Sequence, residues 1–165
     1  MQQAIAAYDA RKRDVALQRA EVRDLLDIDG VPTLGIARLQ AQRGRCHNFA
    51  AALNLLVAEQ VKLEAPLRAL TQAAGGRVAA EHARTAPERA RGLALNKAEQ
   101  AMFADTCRLV DLLLEHQGDW QARPGCQVAF ADDAQIAAWE RLYARRNQHA
   151  ERYNALTTVA EPAAR

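Results

Sequence analysis

The chain has 165 residues, of which 50% are apolar and 25% are charged, and its net charge is +2 at pH 7. A chain of this length fits one domain around one core, so residues 1–165 are predicted to form a single helical domain. The small net charge does not by itself indicate a nucleic-acid partner. No apolar run approaches the roughly 18 residues that a transmembrane helix needs, so we expect no contact with a membrane.

The apolar residues are of the kinds that favour helices. The sequence holds 37 alanines and 19 leucines against 9 valines and 4 isoleucines. Alanine and leucine have high helix propensity, whereas the β-branched residues that favour strands are few. An all-α fold is therefore predicted.

The first predicted helix runs from about Gln2 to Asp27 and has a thin apolar face, because Lys12 and Arg19 interrupt its apolar stripe. The stretch DIDGVPT at 27–33 is expected to end it. Gly30 is suited to a left-handed cap there, and Thr33 is suited to cap the next helix.

The second predicted helix, from about Thr33 to Ala74, has the strongest periodicity in the chain. Steps of three and four residues pick out a coiled-coil-like seam in which most residues are apolar: Leu39, Gln42, Cys46, Phe49, Leu53, Leu56, Gln60, Leu63, Leu67 and Leu70. Pro66 is expected to kink or divide the helix, and AAGG at 73–76 is expected to end it.

Residues 77–92 have few apolar side chains and are predicted to form a short helix or a loop. Thr85 is placed to cap a third helix from about Ala86 to His116, with Pro87 in its first turn.

The segment WQARPGCQVAF at 120–130 predicts a short β-hairpin around a Pro-Gly turn. Asp132 or Asp133 is then expected to cap a fourth helix that reaches about Ala160. The predicted architecture is a mostly antiparallel array of four helices, or a pair of long hairpins that dimerise.

The sequence shows no catalytic or metal-binding motif, so no cofactor and no metal are expected and an enzyme is disfavoured. Cys46, Cys107 and Cys126 are odd in number and widely spaced, unlike a disulfide framework. Cys46 and Cys107 fall on helix seams, where a buried thiol acts as a small apolar group. We therefore expect a reduced, cytoplasmic protein.

Charge is divided unevenly along the chain. Residues 66–98 have a net charge of +4 and residues 99–140 a net charge of −6. The two segments can pair within the fold or between subunits, or they can form a surface for a charged protein partner. A third possibility is a phosphate-binding surface on arginine-rich helix faces, with candidates Arg38, Arg45, Arg77, Arg84 and Arg91.

The function favoured by these patterns is that of a non-enzymatic interaction protein: a subunit, adaptor, chaperone or inhibitor that acts through helix-face contacts, with homodimerisation as one route. Both tryptophans lie close to one predicted turn, so the candidate partner-binding residues are Trp120, Phe130 and Trp139. The alternative is a helical nucleic-acid-binding subunit of a ribonucleoprotein or DNA complex.

Overall fold

The computed structural model describes residues 2–27, 30–123 and 127–158. In chain order it contains α1 (Gln2–Glu21), α2 (Ile36–Ala74), α3 (Gly76–Glu115), β1 (Trp120–Arg123), β2 (Gln127–Phe130) and α4 (Asp133–Thr158). The predicted all-α array of four helices with one small hairpin is confirmed.

α2 and α3 form a long antiparallel hairpin, each about 60 Å long at 1.5 Å per residue. They are joined at Gly75 and Gly76, which have φ angles of 58° and 51°. These left-handed values favour glycine and let the chain reverse within one residue, so the break predicted at 73–76 is confirmed. α1 lies antiparallel along α2, and α4 lies antiparallel along α3.

The segment between α1 and α2 differs from the prediction in detail. α1 ends at Glu21, and short 3₁₀ turns follow at Arg23–Leu25 and Val31–Leu34. The left-handed glycine is Gly35, whose φ is 76°, whereas Gly30 has a φ of −79°. Thr33 does not cap α2, because its hydroxyl donates to the carbonyl of Gly30 at 2.7 Å within the 3₁₀ turn.

Neither internal proline divides its helix. Pro66 lies inside α2, and Pro87 lies inside α3. The prediction of a separate segment at 77–92 is therefore wrong. Thr85 does not act as a cap; its hydroxyl donates to the carbonyl of Glu81 at 3.1 Å, and Arg89 donates to the carbonyl of His82 at 3.3 Å. These side chains bond the carbonyls of Glu81 and His82, in the turn before Pro87.

A disulfide joins α2 to α3 through Cys46 and Cys107, whose Cα atoms are 5.6 Å apart. Both residues are buried, which confirms their seam positions, but the expectation of unpaired thiols is wrong. The two seams face each other at the same level of the hairpin, a relation between helices that spacing within one helix does not reveal. The expected cytoplasmic location rested on reduced cysteines, and stable disulfides are typical of oxidising compartments. Cys126 lies outside the described residues.

The hydrophobic core fills one half of the α2–α3 hairpin, the half that α1 and α4 cover. Phe49 and Phe103 meet edge to face at its centre, with ring centroids 4.5 Å apart. We call α2 residues 36–63 and α3 residues 98–115 the base, and the intervening residues 64–97 the tip. The buried positions of α2 and α3 all lie in the base.

The β-hairpin sits at the open end of the base and is antiparallel, with Trp120 paired to Phe130 and Arg123 to Gln127. Its predicted Pro-Gly turn lies outside the described residues. Asp132 caps α4, because its carboxylate accepts from the backbone N–H of Ala134 at 2.7 Å, as predicted. Among the residues described, none of the helices is long and apolar enough to cross a membrane.

Candidate interaction site

The α2 seam continues past the part of the molecule that buries it. Its eight members from Leu39 to Leu63 are buried. Leu67 is half-buried, and Leu70 has 50% of its surface exposed. The sequence pattern is the same on both sides of Leu63, so the change has a tertiary cause. Among the described residues, α1 reaches the tip beside Leu67 and α4 reaches it beside Arg91, whereas the groove at Leu70 is lined by α2 and α3 alone. The seam is therefore partly covered at Leu67 and open at Leu70.

A groove of about 500 Å³ lies between α2 and α3 at this open seam. It is lined by Leu67, Leu70, Thr71, Arg77, Val78, Glu81, His82, Thr85 and Arg89. Val78 lines the groove from α3 and is 53% exposed. A second groove, of about 450 Å³, shares Leu67 and Arg89 with the first and extends to Ile5 and Tyr8 on α1. The two grooves make one apolar strip along the tip.

Two polar residues of the groove contact each other within α3. Arg89 donates through Nη2 to Nε2 of His82 at 2.8 Å. The Glu64 carboxylate lies 3.6 Å from the guanidinium of Arg89 and connects it to α2. Nε of Arg89 is buried and has no hydrogen-bond partner among the described residues.

Beside the groove, α3 carries four charged residues of alternating sign: Arg77, Glu81, Arg84 and Glu88. Their spacing of four, three and four residues places them along one stripe of the helix. Arg84 bonds Glu81 at 2.7 and 3.0 Å, and this hydrogen bond lowers the pKa of the Glu81 carboxyl. Within residues 2–27, 30–123 and 127–158, Arg77 and Glu88 have no ion-pair partner. We call these four residues the charged stripe.

The structure places the three predicted aromatic residues in a packing role at the base. Phe130 and Trp139 are buried, with exposed fractions of 8% and 7%, and their ring centroids are 6.2 Å apart. Trp120 is half-buried, and its indole N–H donates to the carbonyl of Leu113 at 2.7 Å. They attach the β-hairpin and α4 to α3. Their contact with a partner stays a prediction, and their burial leaves the tip as the more open apolar surface.

Three of the five arginines predicted to contact phosphate have bonds within the chain. Arg38 pairs with Asp24, Arg84 with Glu81, and Arg91 donates through Nε to the carbonyl of Leu156 at 2.8 Å. Arg45 and Arg77 are exposed and lie at opposite ends of the hairpin. The five do not converge on one surface. Phosphate contact stays a prediction, and the geometry gives it no added support.

The acidic residues of α3 pair with basic residues from each neighbouring helix, as expected if opposite charges meet within the fold. Arg19 of α1 makes two bonds to the buried carboxylate of Glu99, at 2.6 and 2.8 Å. Arg145 of α4 makes two bonds to the buried carboxylate of Asp105, at 2.5 and 2.6 Å. Arg43 of α2 bonds Asp111 at 2.7 Å. The acidic segment therefore organises the base, while the tip, residues 64–97, has a net charge of +3.

Nothing among the protein-family models, the curated proteins or the solved structures matches this chain.

Proposed function

We propose that this protein is a non-enzymatic interaction protein, a subunit, adaptor, chaperone or inhibitor that binds its partner through the tip of the α2–α3 hairpin. The observation that carries the proposal is the open seam. A pattern of apolar residues that builds the core at the base runs on to Leu67, which is half-buried, and to Leu70, where the described residues of α1 and α4 do not line the groove. An amphipathic helix laid along this strip would continue the helix packing of the base.

The surroundings of the strip support contact with another helix. Leu70 and Val78 are each about half exposed, and each lies on a regular helix that holds it in position. Apolar side chains on rigid helices bind at little cost in conformational entropy. The charged residues at the edge of the groove give the polar rim that is common at protein interfaces.

The proposal is tested by partner capture with matched variants. A bait carrying Leu70→Asp and Val78→Asp is compared with the wild type and with Leu17→Asp. Leu17 is 73% exposed on α1, outside the tip, and serves as the control for adding a charge at an exposed leucine. The tip variant is expected to lose its partners, whereas the control retains them. Circular dichroism should show unchanged helix content, since none of these residues is buried.

Capture of the same partners by all three baits would refute the assignment of the tip. A catalytic activity that survives the tip substitutions would refute the proposal of a non-enzymatic role.

A further inference from the structure

We infer that the partner of the tip is a second copy of this chain, packed antiparallel against the first so that the two α3 tips face each other. This inference rests on the proposed function and names its partner. The evidence is the order of signs in the charged stripe and the apolar surface that the fold leaves exposed at the tip.

The charged stripe is complementary to itself when one copy is reversed. Read from Arg77 to Glu88, the signs are plus, minus, plus, minus; read from Glu88 back to Arg77, each sign is opposite. A two-fold axis near His82 and Ala83, the midpoint of the stripe, places Arg77 opposite Glu88 of the second copy. The same axis places Glu81 opposite Arg84 of the second copy. All the charges of the stripe then meet opposite charges in one register, which is what an isologous interface requires.

The intramolecular contacts leave part of this stripe available. Glu81 and Arg84 already pair along the helix, but Arg77 and Glu88 have no ion-pair partner within residues 2–27, 30–123 and 127–158. The charged stripe itself holds two arginines and two glutamates, so the stripes of two copies carry no net charge where they meet. A foreign partner of one dominant charge would fit a stripe of one sign better than this alternating one.

The apolar surface that the fold leaves exposed at the tip adjoins the stripe. Leu70 and Val78 are 50% and 53% exposed. Leu67, Leu70 and Val78 lie in the groove beside the stripe and would become the apolar centre of the contact, with the charges at its rim.

The experiment is analytical ultracentrifugation of the whole chain over a concentration series. We compare the wild type with Arg77→Glu, with Glu88→Arg, with the double variant, and with Arg45→Glu as a control on the exposed surface of the base. Each single reversal is expected to raise the dimer dissociation constant about tenfold or more, because it sets like charges against each other at two symmetry-related places. The double variant should return to within about threefold of the wild type, since the exchanged charges meet again across the axis. Arg45→Glu should change nothing.

A wild-type chain that stays monomeric at high micromolar concentration overturns the inference. So does a dimer that the single reversals leave intact, because it must use another surface. A monomeric wild type whose partner capture still depends on Leu70 and Val78 refutes the second copy but leaves the proposed function standing. Recovery in the double variant supports the antiparallel register in particular, since a foreign partner would meet two wrong charges instead of one.

Discussion

The base and the tip are the two halves of the α2–α3 hairpin. The same spacing of apolar residues runs along α2 in both, but it builds a core in the base and lines an exposed groove in the tip. In the base the seam is buried, crossed by a disulfide, and flanked by arginines from α1, α2 and α4 that pair with carboxylates on α3. In the tip the seam opens into a groove, and among the described residues the ion pairs of α3 are made along or across the hairpin itself. A heptad-like pattern thus predicts where a helix can pack. The length of the neighbouring helices decides where it does pack.

Of the changes that compare the base with the tip, removal of the disulfide in the base should lower the free energy of unfolding most. Cys46→Ala combined with Cys107→Ala removes a crosslink between residues 61 apart in sequence. Loop-closure entropy predicts a loss of about 4 kcal/mol in the free energy of unfolding. Urea denaturation of the variant and of the wild type, each with and without reductant, measures it. An equal effect of reductant on both proteins would show that the bond contributes nothing.

Truncation of one seam leucine should lower the free energy of unfolding much more in the base than in the tip. Leu53→Ala in the base removes a fully buried side chain and is expected to cost about 3 kcal/mol. Leu70→Ala in the tip removes a side chain that is 50% exposed and should cost less than about 0.5 kcal/mol. The comparison is made by thermal and urea unfolding at a concentration at which the chain is monomeric. Similar costs for the two would mean that the tip is covered in the folded monomer.

Neutralising one glutamate should give the smallest difference in free energy of unfolding between the base and the tip. Glu99→Gln weakens two hydrogen bonds to Arg19 at a buried carboxylate and is expected to cost about 1–2 kcal/mol, a value reduced because Arg19 is 41% exposed. Glu81→Gln removes an exposed pair within one helix turn and should leave the free energy of unfolding unchanged within error. Urea unfolding at low and at high salt checks both. A matching loss in the two variants would contradict the distinction between base and tip.

The sequence predicted the parts of the fold that local chemistry determines. The α2 seam from Leu39 to Leu63, the break at Gly75, the two strands and the Asp132 cap all follow from spacing, glycine conformation or side-chain hydrogen bonding within a few residues. α3 was predicted too short because Pro87 and the scarcity of apolar residues in 77–92 resemble a helix start. α3 instead continues through Pro87, from Gly76 to Glu115.

The candidate site was missed for a related reason. Once residues 77–88 are taken as part of a helix, the alternating charges of the stripe are visible in the sequence. Two of its members, Arg77 and Arg84, are also candidates for the predicted phosphate-binding surface. The exposure of Leu70 depends on where α1 and α4 end relative to the hairpin, which no local pattern encodes. The pairing of Cys46 with Cys107 likewise depends on the register between two helices.

The disulfide also has a mechanical consequence. Two long helices packed side by side can transmit a signal by sliding past each other by one turn, about 5.4 Å. In this hairpin such a slide is blocked twice, by the Cys46–Cys107 bond at one end and by the one-residue turn at Gly75 at the other. A force applied at the tip therefore bends or tilts the hairpin as one beam instead of shearing it. With the bond intact, the surface proposed to bind a partner stands on a stiff arm whose orientation is set by the base.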